Sequence, residues 1–128
     1  MAATKDLWGE LEPASLIVRT PATILKEQAA FLGAKTQNIL EAVVYSENVG
    51  GGRFGLAFDI VVPSLDNYSY RLMTIYYPMG LYPVQANVTG EPSVTLKTED
   101  EFVTWLQTQL TSAETRKIVG ALLSQATS

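Results

Sequence analysis

The chain predicts an α+β domain with one helix ahead of an antiparallel sheet and two helices behind it. Three observations carry this expectation. Apolar residues recur at helical spacing from Thr20 to Gly33 and again from Thr98 to Ala126. Between them the period falls to two, with Phe54, Leu56, Phe58, Ile60 and Val62 on alternate positions. The links between the alternating runs are short and rich in Gly, Pro, Asn and Asp. Short links force antiparallel neighbours, because a parallel return needs a crossover of about a dozen residues.

The N-terminal helix starts at Thr20, whose side chain can cap free N–H groups, with Pro21 at the first helical position. Ile24, Leu25, Ala29, Phe31 and Leu32 form its apolar stripe, and Lys26, Glu27 and Lys35 are placed toward water. Gly33 is one end, with an extension through Gln37 as the alternative. Ahead of it, Leu7, Trp8 and Leu11 fit a helical turn that docks on the body. Pro13 breaks that turn, and Leu16, Ile17 and Val18 read as extended. Residues 1–19 are otherwise expected to be a loose arm, with 20–128 as the α+β body of a single domain.

Four strands follow. The first runs from Ile39 to Glu47, with Leu40, Ala42 and Val44 on one side and Ile39, Val43 and Tyr45 on the other. Gly50, Gly51 and Gly52 make a hairpin loop, since glycine takes positive φ without a Cβ clash. Arg53 to Val62 is the second strand, and its five large apolar residues mark the core face. Asp66 and Asn67 turn the chain into Ser69 to Tyr77. Pro78, Met79 and Gly80 turn it again into Tyr82 to Val88, and Val94 to Leu96 is a short fifth strand. Thr98 and Glu101 form a capping box, after which Phe102, Val103, Leu106 and Leu110 face inward. Ser112 starts the last helix, with Ile118, Val119, Leu122, Leu123 and Ala126 on one stripe.

Composition narrows function. The chain has 128 residues, a net charge of −4, and neither histidine nor cysteine. The commonest catalytic base, the commonest nucleophile and thiolate metal sites are therefore absent. The acidic balance argues against nucleic acid, which requires a basic stripe to displace counterions, and against an anionic membrane surface. No apolar run nears the roughly 20 residues of a membrane span. The first twelve residues lack a basic region followed by an apolar one, so no signal peptide is expected and the location is read as cytoplasmic. No cofactor, metal ligand set or catalytic residue is expected.

Several motifs have plainer readings. The triple glycine joins strands and lacks the following helix of a phosphate loop. Glu41 and Asp59 could share a pocket for acid–base work, but carboxylates on the wet face of an antiparallel sheet are commoner. Five of the six tyrosines fall between Tyr68 and Tyr82. Tyrosine pairs an apolar ring with a polar tip, and it is enriched at interfaces. Alternation sends Met73, Ile75 and Tyr77 to the second sheet face with Ala57 and Val61, and Tyr70 and Tyr76 the other way. That face is then too apolar for open water. Tyr70, Met73, Ile75, Tyr76, Tyr77 and Tyr82 are accordingly the interface or ligand candidates.

The element order, one helix and then four strands, resembles a cystatin-like layout. Small acidic secretion chaperones have comparable length and charge but insert a helix in the strand series. Here only Pro78 to Leu81 separates Tyr77 from Tyr82, too short for one. Gln85, Val88 and Gly90 depart from the cystatin Q-x-V-x-G hairpin by one residue, so protease inhibition is not implied. The stretch from Thr20 to Ala29, with Val62 to Tyr70 and Leu81 to Val84, resembles a group of small uncharacterised bacterial proteins. That resemblance implies a bacterial, intracellular protein and carries over no catalytic residue. The leading expectation is a non-enzymatic module that binds a partner protein or a second copy through the second sheet face. The alternative is a small-molecule module with an apolar cleft lined by Phe54, Phe58 and Tyr70. A carboxylate-dependent enzyme is the third.

Overall fold

The computed structural model describes residues 4–128, so the part of the N-terminal reading that falls on 1–3 lies outside the described residues. The order is α1 (Pro13–Leu16), α2 (Pro21–Lys35), β1 (Glu41–Asn48), β2 (Arg53–Val62), β3 (Tyr68–Pro78), β4 (Val84–Val88), β5 (Val94–Leu96), α3 (Glu99–Leu110) and α4 (Ala113–Ala126). The five strands form one antiparallel sheet in sequence order. The fold is therefore α+β, an antiparallel meander flanked by one long helix before and two after. No helix among the described residues is long and apolar enough to cross a membrane.

Each helix starts where a hydroxyl can satisfy a free N–H. Thr20 accepts from Thr23 N at 3.1 Å, Thr98 from Glu101 N at 3.1 Å, and Ser112 from Thr115 N at 3.1 Å. The Glu101 N–H bond to Thr98 is one half of the expected capping box, and the Thr98 hydroxyl also donates to the Glu101 carboxylate at 3.3 Å. α2 runs to Lys35 and stops because Gln37 and Asn38 turn left-handed, at φ 54° and 64°. Thr36 closes this turn by accepting from Leu40 N at 3.2 Å and donating to Leu32 O at 2.9 Å. The turn absorbs Ile39 and Leu40, so β1 begins at Glu41 rather than Ile39. Leu40 is nonetheless fully buried. β4 likewise begins at Val84 rather than Tyr82, since Pro83 has no N–H for a ladder.

A single buried cluster joins α2, one face of the sheet, α3 and α4. Ile24 and Leu25 come from α2, Leu56, Phe58, Ile60 and Val62 from β2, Phe102 and Leu106 from α3, and Leu122 from α4. Three expected core residues are not in it. Phe31 is 56% exposed and Val103 is 39% exposed, because each lies at the border of its helix's apolar stripe, and Phe54, near the start of β2, is half-exposed against Tyr77.

The side of β3 differs from the expectation, and a bulge is the reason. Phe54, Leu56 and Phe58 pair with Tyr77, Ile75 and Met73, whereas Asp59 and Ile60 pair with Arg71 and Tyr70. Leu72 is the extra residue at this register shift. One added residue reverses the alternation, since side chains repeat every two residues. Met73, Ile75 and Tyr77 therefore sit on the helix-covered face and are buried. Tyr70 is on that face too, opposite Ile60, and Tyr76 is on the open face opposite Gly55. Thr89 holds the bulge, donating through its N–H to Leu72 O at 3.1 Å and through its hydroxyl to Arg71 O at 2.6 Å.

The N-terminal segment also departs from expectation. Leu7, Trp8 and Leu11 do not form a helical turn, and they do not dock. The helical turn is one step later, at Pro13–Leu16, where proline occupies a position that needs no N–H. All of residues 4–19 are exposed. The arm meets the body at its root, where Arg19 pairs with Glu27 of α2.

Candidate functional site

The open sheet face is polar rather than apolar. Asp59, 6% exposed, accepts from Arg71 Nε at 2.9 Å and Nη2 at 3.4 Å, and from the Ser69 hydroxyl at 3.2 Å. Arg71 also lies 3.7 Å from Glu47. This cross-strand ladder ties β1, β2 and β3 together, and Asp59 together with Glu47 raises the already high Arg71 pKa. Glu41 is opposite Val61, whereas Asp59 is opposite Val43, so the two carboxylates are not direct cross-strand partners. Asp59 is thus committed to Arg71 and Ser69 rather than to Glu41.

Tyr76 covers the neighbouring strip of this face. A Cβ on Gly55 would meet the Tyr76 ring at 3.2 Å and the Val49 side chain at 3.1 Å. Glycine at this position therefore lets the ring lie flat across the strand. Arg53 stacks over the same ring at 5.5 Å and donates to Gln85 Oε1 at 2.7 Å. Ala57 is fully buried beneath these neighbours. The ring, the ion pairs and the amide break up the apolar surface of this face, where Tyr45 of β1 is also exposed.

The six candidates scatter. Met73 and Ile75 are core, and Tyr77 stacks on half-exposed Phe54 at 5.6 Å. Tyr70 packs at the border of the core. Tyr82 has a buried hydroxyl with no hydrogen-bond partner among the described residues. Burial raises the pKa of both Tyr77 and Tyr82, and Glu99 adds to the effect at Tyr82 while Arg19 opposes it. A raised phenol pKa means stability that is complete below about pH 10 and lost as pH rises through the folded value. Tyr82→Phe removes both the orphaned hydroxyl and this loss. It should stabilise the protein at pH 7 by up to about 1 kcal/mol, and its advantage over the native chain should widen above pH 10. Thermal melts at the two pH values check this, and a destabilised variant would show that the hydroxyl has a partner.

Two features outside the tyrosine run remain unpartnered. The first is the arm. Leu7, Trp8, Leu11, Leu16, Ile17 and Val18 are 85%, 76%, 55%, 62%, 75% and 61% exposed. The second is a cleft of about 260 Å³ between α2, the sheet and the α3–α4 corner. Its floor is Phe58, Ile60 and Leu72, with Phe31, Leu110 and Val119 as apolar walls. Gln28, Lys35, Thr111, Thr115 and Arg116 supply its polar rim. Of the three residues expected to line an apolar cleft, only Phe58 does so. Phe54 lies on Tyr77 and Tyr70 packs at the core border.

The sequence held a signal for this cleft. At about 100° per residue, Gln28, Phe31 and Lys35 follow Ile24 along one ridge of α2. A polar residue and a cation within an apolar ridge mark a wall that is not closed by packing. The free-standing arm agrees with the expectation of a loose segment over 1–19 and departs from the docked turn at Leu7, Trp8 and Leu11.

No protein-family model, curated protein or solved structure matches the chain.

Proposed function

We propose that the chain is a non-enzymatic protein-binding module that self-associates through its N-terminal arm. The observation that carries this is the exposure of six large apolar side chains on one short segment. They present on the order of 800 Å² of apolar surface, the area that each partner buries in a standard protein–protein interface. Isolated exposed apolar residues need no explanation, but this many on one short segment point to an interaction site. The polar sheet face is replaced as the contact surface, and the arm takes its role.

A small-molecule ligand in the cleft is the weaker reading. The cleft falls below the roughly 300–1,000 Å³ typical of ligand pockets. The absence of cysteine and the resemblance of Thr20–Ala29 to small bacterial proteins support a bacterial cytoplasm as the setting.

Sedimentation velocity tests the reading. The native chain should be dimeric at tens of micromolar, and the triple variant L7S/W8S/L11S should be monomeric with an unchanged melting temperature. The two tryptophans, Trp8 and Trp105, allow an optical check. In a Trp105→Phe background, Trp8 emission should shift to the blue as concentration rises. A native chain that stays monomeric at millimolar concentration would overturn the proposal, as would a dimer indifferent to the triple variant.

A further inference from the structure

We infer that the occupant of the cleft between α2 and α4 is the arm of a second copy, exchanged reciprocally across a two-fold axis. This rests on the self-association proposed above and adds where the arm goes.

Charge complementarity is the first argument. The arm carries Asp6, Glu10 and Glu12 among Leu7, Trp8 and Leu11, against Lys5 beside them and an Arg19 at its root that is already paired with Glu27. The cleft places Lys35 and Arg116 at the rim of an apolar floor. Among the described residues neither Lys35 nor Arg116 forms an ion pair. An acidic, apolar segment therefore meets a basic, apolar groove within one molecule that is acidic overall. Rim charges of this kind set register and orientation, while the apolar centre supplies most of the affinity.

Size is the second. A tryptophan side chain has about ten non-hydrogen atoms, a reasonable load for a cleft just under the ligand-pocket range. Trp8 is the largest side chain of the arm, and tryptophan in a desolvated pocket is the commonest kind of interface anchor. Its insertion would cover Phe31, the exposed aromatic on the cleft wall.

Reach and symmetry complete the case. α2 has 15 residues and is about 22 Å long. The arm from Thr20 back to Trp8 spans up to about 40 Å when fully extended, enough to run along a neighbour's α2 to the cleft near its C-terminal end. Reciprocal exchange buries both arms and closes the assembly, so no further copy can add. A direct β1-to-β1 contact is a poorer route. Antiparallel pairing centred on Val44 would set Glu41 against Glu47 of the other copy twice.

The native chain has no cysteine, so introduced thiols are the only ones present. Glu10→Cys is made in one population and Arg116→Cys in another, both at exposed positions that leave Trp8 and the core intact. The two are mixed and treated with a short bis-maleimide. A covalent dimer formed by the mixture, well above either population alone, is expected. K35E/R116E should weaken dimerisation at least tenfold. If the double variant E10C/R116C links only within one chain, the arm closes on its own cleft and the exchange is overturned. If the native chain is dimeric but neither the link nor the charge reversal has an effect, the arm docks elsewhere and only the cleft assignment fails. A native chain that is monomeric throughout removes this inference together with the self-association on which it rests.

Discussion

Ile75→Ala should destabilise the protein by about 2–5 kcal/mol, the usual cost of truncating a fully buried aliphatic residue. Ile75 is 0% exposed. It pairs with Leu56 on one side and Ala86 on the other, in the middle of the helix-covered face. The substitution removes three carbons from a site whose neighbours on both strands are also fully or nearly fully buried. Ala86 is too small to fill the space left behind, and Leu56 is held by its own strand. The cavity would therefore persist, which places the cost in the upper part of that range. The melting temperature should fall by roughly 12–20 °C for a domain of this size. Urea denaturation at 25 °C should show a lower midpoint with an unchanged slope. The oligomeric state of the folded variant should match that of the native chain. A loss below about 1 kcal/mol combined with altered association would return Ile75 to the surface role that simple alternation gives it.

That contrast locates what the sequence could and could not convey. Element order was legible because local signals agree with the final structure: hydroxyl caps at Thr20, Thr98 and Ser112, the glycine hairpin, and the strict alternation of β2. The turn between β3 and β4 was legible from its length alone. Which way β3 faces was not. Its orientation depends on one bulged residue, Leu72, held by Thr89 from beyond β4. No local pattern announces that contact, and a parity error there displaced Met73, Ile75, Tyr76 and Tyr77 together. The polar ladder on the open face shows the same limit. Asp59, Arg71 and Glu47 are apart in sequence, and only the register of three strands makes them neighbours. The arm failed in another way. Leu7, Trp8 and Leu11 have helical spacing, but a few residues cannot offset the cost of nucleating a helix without a surface to pack on. Their apolar character was visible, and of the two readings it allowed, a docked turn and a loose arm, the sequence alone did not choose. The cleft was half legible, since Phe58 and an apolar space between sheet and helix were foreseen while Phe31, Lys35, Arg116 and Val119 were not.

Phe102→Ala should have the largest effect on the body, about 3–5 kcal/mol. Phe102 lies in the first turn of α3, is 0% exposed, and is stacked on Trp105 with ring centroids 6.5 Å apart. It is the largest fully buried side chain and, with Leu106, fixes α3 to the sheet. Val103 is partly exposed, so α3 has few other apolar anchors along this turn. Losing the ring should loosen α3 before it loosens the sheet, because β2 and β3 remain paired along their whole lengths. Hydrogen exchange should show this as early loss of protection in α3 and α4, with the amides of β2 and β3 retaining theirs. The consequence extends to the cleft. Leu110 and Thr111 end α3, and Arg116 and Val119 belong to α4, so half of the cleft wall moves with the α3–α4 pair. Under the arm-exchange assignment, the Phe102 variant should dimerise more weakly than the native chain even at temperatures where it remains folded. Ile75→Ala, which leaves α3 anchored, should not weaken the dimer under the same conditions. Sedimentation of the two variants side by side, well below their melting temperatures, separates the contributions. Equal loss of dimer in both would mean that association follows global stability. Loss confined to Phe102→Ala would mean that it follows the position of α3 and α4, the part of the fold that shapes the cleft.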